Sequence, residues 1–207
     1  MLMSLTGICL IAGAALATVN KLTTEPIATS KAAKLENAIR EVTPEFNNNP
    51  SAEAYKGVTA DGDSLIIYPA KMDGNLVGVA VESNTKKGFS GEIKVIVGLD
   101  KDGKLLNYSV LQHAETPGLG SKMEEWFRAD KNKQSVLGKD LAQGPLKVSK
   151  DGGDVDAITA ATISSRAFLN AVNRAYSAYD NNGNHDGTTS ATEQDNSKSD
   201  KKGGSHE

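Results

Sequence analysis

Between Asp156 and Ser165 the chain reads Asp-Ala-Ile-Thr-Ala-Ala-Thr-Ile-Ser-Ser, with four hydroxyl side chains set among small and apolar residues. Hydroxyls ahead of a helix accept hydrogen bonds from its unpaired first-turn N–H groups. The same N–H groups, aligned with the helix dipole, favour an anion. Ala160 and Ala161 are small enough to let a phosphate come close to the backbone. Three uses are therefore open to Thr159, Thr162, Ser164 and Ser165: capping, binding a phosphate, or carrying one covalently.

A second segment lies upstream. Gly88-Phe89-Ser90-Gly91 precedes the apolar run Ile93 to Leu99, and His113-Ala-Glu-Thr-Pro-Gly-Leu-Gly120 follows further on. Pro117-Gly118 suits the centre of a type II turn, with proline fixing φ and glycine supplying φ > 0. Glu115 to Gly120 reads either as that turn alone or as a glycine-rich loop that also presents bare backbone to a flat ring.

The pattern Asp-x-x-Thr-Ala-Ala-Thr resembles the flavinylation signal Asp-x-x-Ser/Thr-Gly-Ala-Thr, in which a flavin transferase attaches FMN through its phosphate to the last threonine. Asp156, Thr159, Ala161 and Thr162 match it, and Ala160 stands where the family usually has glycine. A positive φ at that position would cost an alanine about 1 kcal/mol. Glu-Thr-Pro-Gly-Leu-Gly (115–120) resembles the flavin-pocket loop of the same family, in the same order along the chain. With the apolar N-terminus, the two motifs are similar to the G subunits of Rnf (Rsx) ion-translocating electron-transport complexes. The C subunit of sodium-pumping NADH:quinone reductase is related to these.

The resemblance implies an electron-carrying subunit with FMN held by a phosphoester to Thr162. It implies that Glu115, Thr116, Gly118, Leu119 and Gly120 line the ring or its ribityl chain. Thr159, Ala160, Ala161, Ser164 and Ser165 would surround the phosphate at the helix start. No catalytic acid, base or metal is expected, and no independent catalysis. The partners it implies are the other subunits of the complex, a flavin transferase and the membrane. A flavin domain of a separate reductase or regulator, and a flavin-free anchor or assembly module, remain alternatives.

Composition sets bounds. The 207 residues, 38% hydrophobic and 24% charged, allow one medium domain with extensions. A net charge of −3 and the lack of a basic stripe give no sign of nucleic-acid binding. A single cysteine, Cys9, excludes an intrachain disulfide and a cysteine-held iron–sulfur cluster. His113, His185 and His206 suggest no clustered metal site. Redox chemistry would need an organic cofactor. Trp126 is expected to pack under Met123–Phe127 rather than on that cofactor.

No charged side chain precedes Lys21. Residues 1–20 are expected to form a transmembrane anchor of about the minimum length for a spanning helix. A cleaved signal peptide is the rival, with Ala15-Leu16-Ala17 resembling a cleavage site but no positive n-region. Lys21, Lys31 and Lys34 point to the cytoplasm by the positive-inside rule. The resemblance instead places the domain on the outer, periplasmic face of the inner membrane.

The elements that must position the two motifs follow from periodicity. Ser30 to Val42 reads as a helix capped by Ser30, with Pro44 beyond its end. Leu65–Tyr68 and Leu76–Val81 read as a hairpin around Met72-Asp-Gly-Asn75, and Glu92–Leu99 and Lys104–Leu111 as a second around Asp100-Lys-Asp-Gly103. A short helix is expected over Ser121–Arg128 and a strand over Leu146–Val148. After Gly152-Gly153 comes the hydroxyl segment and a last helix with a Phe168, Val172, Ala175, Tyr176 and Tyr179 stripe. The expected fold is α+β, an antiparallel sheet with flanking helices. The FMN-binding domain is expected over 21–179, and a disordered polar tail over 180–207.

Overall fold

The computed structural model describes residues 2–182, without the side chains of residues 2–5, 11 and 21–29. A long helix, α1 (Leu2–Val42), leads into five strands: β1 (Tyr55–Val58), β2 (Ser64–Met72), β3 (Asn75–Thr85), β4 (Ile93–Leu99) and β5 (Leu105–Gln112). A 3-10 turn (Gly120–Lys122), the single-turn α2 (Met123–Trp126) and two further 3-10 turns (Leu141–Gln143 and Ser149–Asp151) follow. The helix α3 (Thr162–Asp180) closes the fold.

The five strands form one antiparallel sheet in the order β1-β2-β3-β4-β5, so each strand pairs with its neighbour in sequence. The tight turns make this meander possible. At the β2–β3 hairpin both central residues have positive φ, Asp73 at 51° and Gly74 at 82°. That is the requirement of a type I′ turn, whose twist matches the strands.

Alternation along the strands divides the core in two. Leu65, Ile67, Val79, Val81, Val95 and Val97 face α3, which contributes Phe168, Leu169, Val172, Ala175 and Tyr179. Tyr68, Ala80 and Ile96 face the other way and receive Ala38, Ile39 and Val42 of α1. Phe168 is the keystone of the larger core. It stacks on Phe127 at 4.5 Å and meets Tyr108 edge-on at 4.8 Å. The fold is thus α+β, as expected, with one helix on each face of the sheet.

Four expectations need correction. First, α1 runs through Ser30 without a break, so Ser30 is not a cap; the Ala- and Leu-rich residues upstream already favour helix. Second, Tyr55–Val58, where no strand is expected from periodicity, is a strand and supplies the edge partner of β2. Third, Leu146–Val148 is not a strand. The Asn173 side chain takes both the Leu146 N–H (2.8 Å) and its C=O (2.9 Å), the groups a neighbouring strand would pair. Only a single parallel bridge, Val148 to Val155, remains.

The fourth concerns the membrane. Among the described residues no helix is long and apolar enough to cross a membrane, so the expected span over 1–20 is not borne out there. The tail expected to be disordered lies outside the described residues from position 183 onward.

Candidate functional site

Thr162 is the first residue of α3 and is half-buried. The position before it, the N-cap, is Ala161, which has no side-chain acceptor. None of the four hydroxyls caps α3 from that position. Ser164 and Ser165 turn inward instead. The Ser165 hydroxyl donates to the Ala161 carbonyl (3.0 Å) and accepts from the Ile158 N–H (2.9 Å), stitching the incoming loop to the first turn. The Ser164 hydroxyl donates to Glu115 Oε2. Thr159 is exposed.

The N-terminal end of α3 presents the positive pole of the helix dipole. No acidic side chain lies in its first turn. Lys150 Nζ is 3.4 Å from Thr162 Oγ1. Arg166, four residues on and so on the same helical face, grips Asp151 with two hydrogen bonds of 2.7 Å. This planar fork docks the Ser149–Asp151 turn beside the helix and sets Lys150 next to Thr162. The Arg166 guanidinium also holds the Asp151 carboxyl below the usual carboxylate range.

Asp156 anchors the approach. Its carboxylate accepts from the Ser149 hydroxyl (2.8 Å) and the Lys133 N–H (3.3 Å), and its carbonyl accepts from the Trp126 indole (2.9 Å). Trp126 is accordingly packed against the core, partly buried.

The upstream loop comes to the same place. A Thr116 carbonyl to Leu119 N–H bond of 3.1 Å and a φ of 74° at Gly118 make the expected turn at Pro117-Gly118. Glu115, only 4% exposed, lies between that turn and α3. Its Oε1 accepts from the Ser90 N–H (3.0 Å), and its own N–H donates to His113 Nδ1 (3.1 Å). A Cβ at Gly120 would stand 2.6 Å from Ser164 Oγ and 2.7 Å from Glu115 Oε2, so only glycine lets the loop close on this pair.

Between loop and helix is a cavity of about 340 Å³, lined by Phe89, Glu115, Thr116, Leu119, Gly120 and Ala160 to Ser164. Its walls are mostly apolar, and its size falls in the range of small-molecule pockets, roughly 300–1,000 Å³. Of the residues expected at the site, Thr159, Ser165 and Gly118 do not line it. Phe89 and Ile163 line it although the motifs did not single them out, and Lys150 stands beside it. The signal for Phe89 was an aromatic between two glycines. A larger cavity of about 460 Å³ lies two turns further along α3, lined by Asp61, Asp63, Lys86, Lys87 and Arg174 among others; its mixed charges recommend no one ligand. Among the described residues no cluster of histidine, cysteine or carboxylate could hold a metal ion.

A phosphate-bearing flavin fits this donor set. The uncapped helix start and the Lys150 ammonium suit the phosphate, the Thr162 hydroxyl suits a covalent link, and the apolar cavity suits a flat ring. Residues 88–177 match the sequence model of the FMN-binding domain, which covers both loops and most of α3. The chain is 35% identical over 180 residues to the ion-translocating oxidoreductase complex G subunit of Shewanella amazonensis, covering 82% of each protein. It is 34% identical over 182 residues to the corresponding protein of Stutzerimonas stutzeri, covering 84% of this chain and 77% of that one. With the corresponding protein of Vibrio cholerae serotype O1 it shares 36% over 163 residues, 74% of this chain and 77% of the other. The chain belongs to the family of ion-translocating oxidoreductase complex G subunits.

Proposed function

We propose that this chain is an electron-carrying subunit of a membrane-bound, ion-translocating redox complex, with FMN joined through its phosphate to Thr162 Oγ1. The observation that carries the reading is the convergence of Thr162, Lys150 and the Glu115–Gly120 loop on one cavity. The names of its relatives supply the complex. Bound FMN would take up and pass on electrons; the protein sets its position and surroundings.

The chain's own part is then to hold. Lys150 and the start of α3 balance the phosphate charge. Thr162 Oγ1 would be the attacking oxygen when a flavin transferase moves the flavin phosphoryl group from an activated flavin nucleotide: the new P–O bond replaces the one to the nucleotide leaving group, which departs as the hydroxyl proton is lost. Leu119, Gly120 and Ile163 exclude water from the ring. Glu115 fixes both walls of the cavity, and no residue is asked to act as acid or base.

The uncharged stretch ahead of Lys21 is read as the segment that holds the domain to the membrane. Ile8, Leu10, Leu16 and Val19 of α1 are exposed, which suits a lipid or protein surround. Placement on the outer face of the inner membrane follows the family resemblance alone.

The test is co-expression with a flavin transferase followed by denaturing electrophoresis. The full chain should give a flavin-fluorescent band and Thr162→Ala a dark one. A dark band for both, with the transferase active on a control protein, would favour the flavin-free assembly module.

A further inference from the structure

All ten aromatic side chains of the chain are among the described residues, and nine are buried or half-buried. The exception is Phe89, 67% exposed. It sits on the cavity rim with Leu119 and Ile163, which are exposed as well. An isolated exposed leucine would need no comment, but three such side chains rim one mouth.

The backbone beneath Phe89 is held firmly. A Cβ at Gly88 would stand 2.2 Å from the Gly91 carbonyl oxygen and 2.7 Å from Glu115 Oε1, so the loop folds tightly onto the buried carboxylate. Glu115 Oε1 then takes the Ser90 N–H at 3.0 Å, while Oε2 takes the Ser164 hydroxyl two residues after Thr162. One carboxylate therefore ties the Phe89 loop to the helix turn that carries the attachment threonine.

We propose that Phe89 is the stacking face for the isoalloxazine ring of the flavin tethered at Thr162, with Glu115 as the residue that positions it. This rests on the reading of Thr162 as the attachment site. A flat π-system anchored in that cavity meets one free aromatic face, and offset stacking is the arrangement such pairs prefer. Stacking would also cover the apolar rim.

The test uses the full chain flavinylated by a transferase, with Phe89→Leu, Phe89→Trp and Glu115→Gln variants. Signals are expressed per attached flavin, counted from the denatured fluorescent band. Stacking on an aromatic face holds the ring in one chiral setting and gives it visible circular dichroism; an indole face, unlike a phenyl one, also quenches flavin emission by electron transfer. Phe89→Leu should lose the dichroism, Phe89→Trp should keep it and dim native emission, and Glu115→Gln should show a dichroism between wild type and Phe89→Leu. Dichroism unchanged in Phe89→Leu, or native emission undimmed in Phe89→Trp, would overturn the assignment, including the case where Phe89→Leu instead fails to bind a neighbouring protein of the complex. A dark denatured band for the wild-type chain would overturn the Thr162 reading and this inference together, an outcome distinct from failure of Phe89 alone.

Discussion

The Ser164 hydroxyl donates to Oε2 of Glu115, joining the first turn of α3 to the loop that leaves β5. The two residues are 49 positions apart, and each belongs to a different half of the candidate site. Both are buried, at 2% and 4% exposure. A buried carboxylate is tolerable only when donors satisfy it, and here the Ser90 N–H and the Ser164 hydroxyl do so. The bond therefore ties together two residues that line the cavity from different elements.

Removing one donor should be felt in stability. Ser164→Ala leaves Glu115 with a single partner and should destabilise the domain by about 1–3 kcal/mol. Urea unfolding of the two proteins measures this. No loss would mean that the carboxylate finds water and that the bond does not brace the site.

Ala160 carries a left-handed backbone, with φ of 61°. For an L-residue with a Cβ this conformation is strained. Ala160→Gly should raise stability by up to about 1 kcal/mol, and Ala160→Val should lower it. Thermal unfolding checks both. A destabilised glycine variant would show that the alanine methyl contributes packing that outweighs its strain.

How legible this site was in the sequence follows from such residues. Positive φ at position 160 could be raised only as a condition, from the glycine usual in the family, and the structure shows it on an alanine. The Pro117-Gly118 turn and both hairpins were legible because their residues act locally. Partners distant in sequence were not. Nothing around Ser164 announces Glu115, and nothing around Leu146 announces that Asn173 will occupy its backbone groups. Capping is the most local of the three uses open to the hydroxyl run, yet the distant Glu115 claims Ser164, and Ser165 stitches Ile158 and Ala161 to the first turn instead. β1 was missed because four residues with an edge position carry too short an alternation to read.

The core makes its own prediction. Phe168 is fully buried between Phe127 and Tyr108. Phe168→Ala should cost about 3–5 kcal/mol, whereas Thr162→Ala, at a half-buried position, should leave stability within about 0.5 kcal/mol. Chemical denaturation of the pair separates a structural residue from a site residue.

Alkaline pH should unfold the domain through its buried tyrosines. Burial pushes the Tyr179 phenol up to about 12, with nearby negative charge adding to it, and burial raises Tyr108 and Tyr68 further. Each folded value lies above the unfolded one near 10. The neutral forms therefore stabilise the fold fully below about pH 10, and that contribution is lost as pH rises toward 12 and beyond. A Tm series between pH 8 and roughly 12 should be level at first and then fall. A Tm that holds steady through that rise would show that these phenols ionise freely in the folded chain.

The central claim is the chemistry of Thr162, and peptide mass spectrometry tests it most directly. Trypsin cutting after Lys150 and after Arg166 releases Asp151–Arg166, which holds Thr159, Thr162, Ser164 and Ser165 together and no internal lysine or arginine. Fragmentation of that peptide, from chain matured by a flavin transferase, should place an FMN phosphoester on Thr162. The same group on Thr159, Ser164 or Ser165, or an unmodified peptide from a preparation in which the transferase is active, would contradict the account.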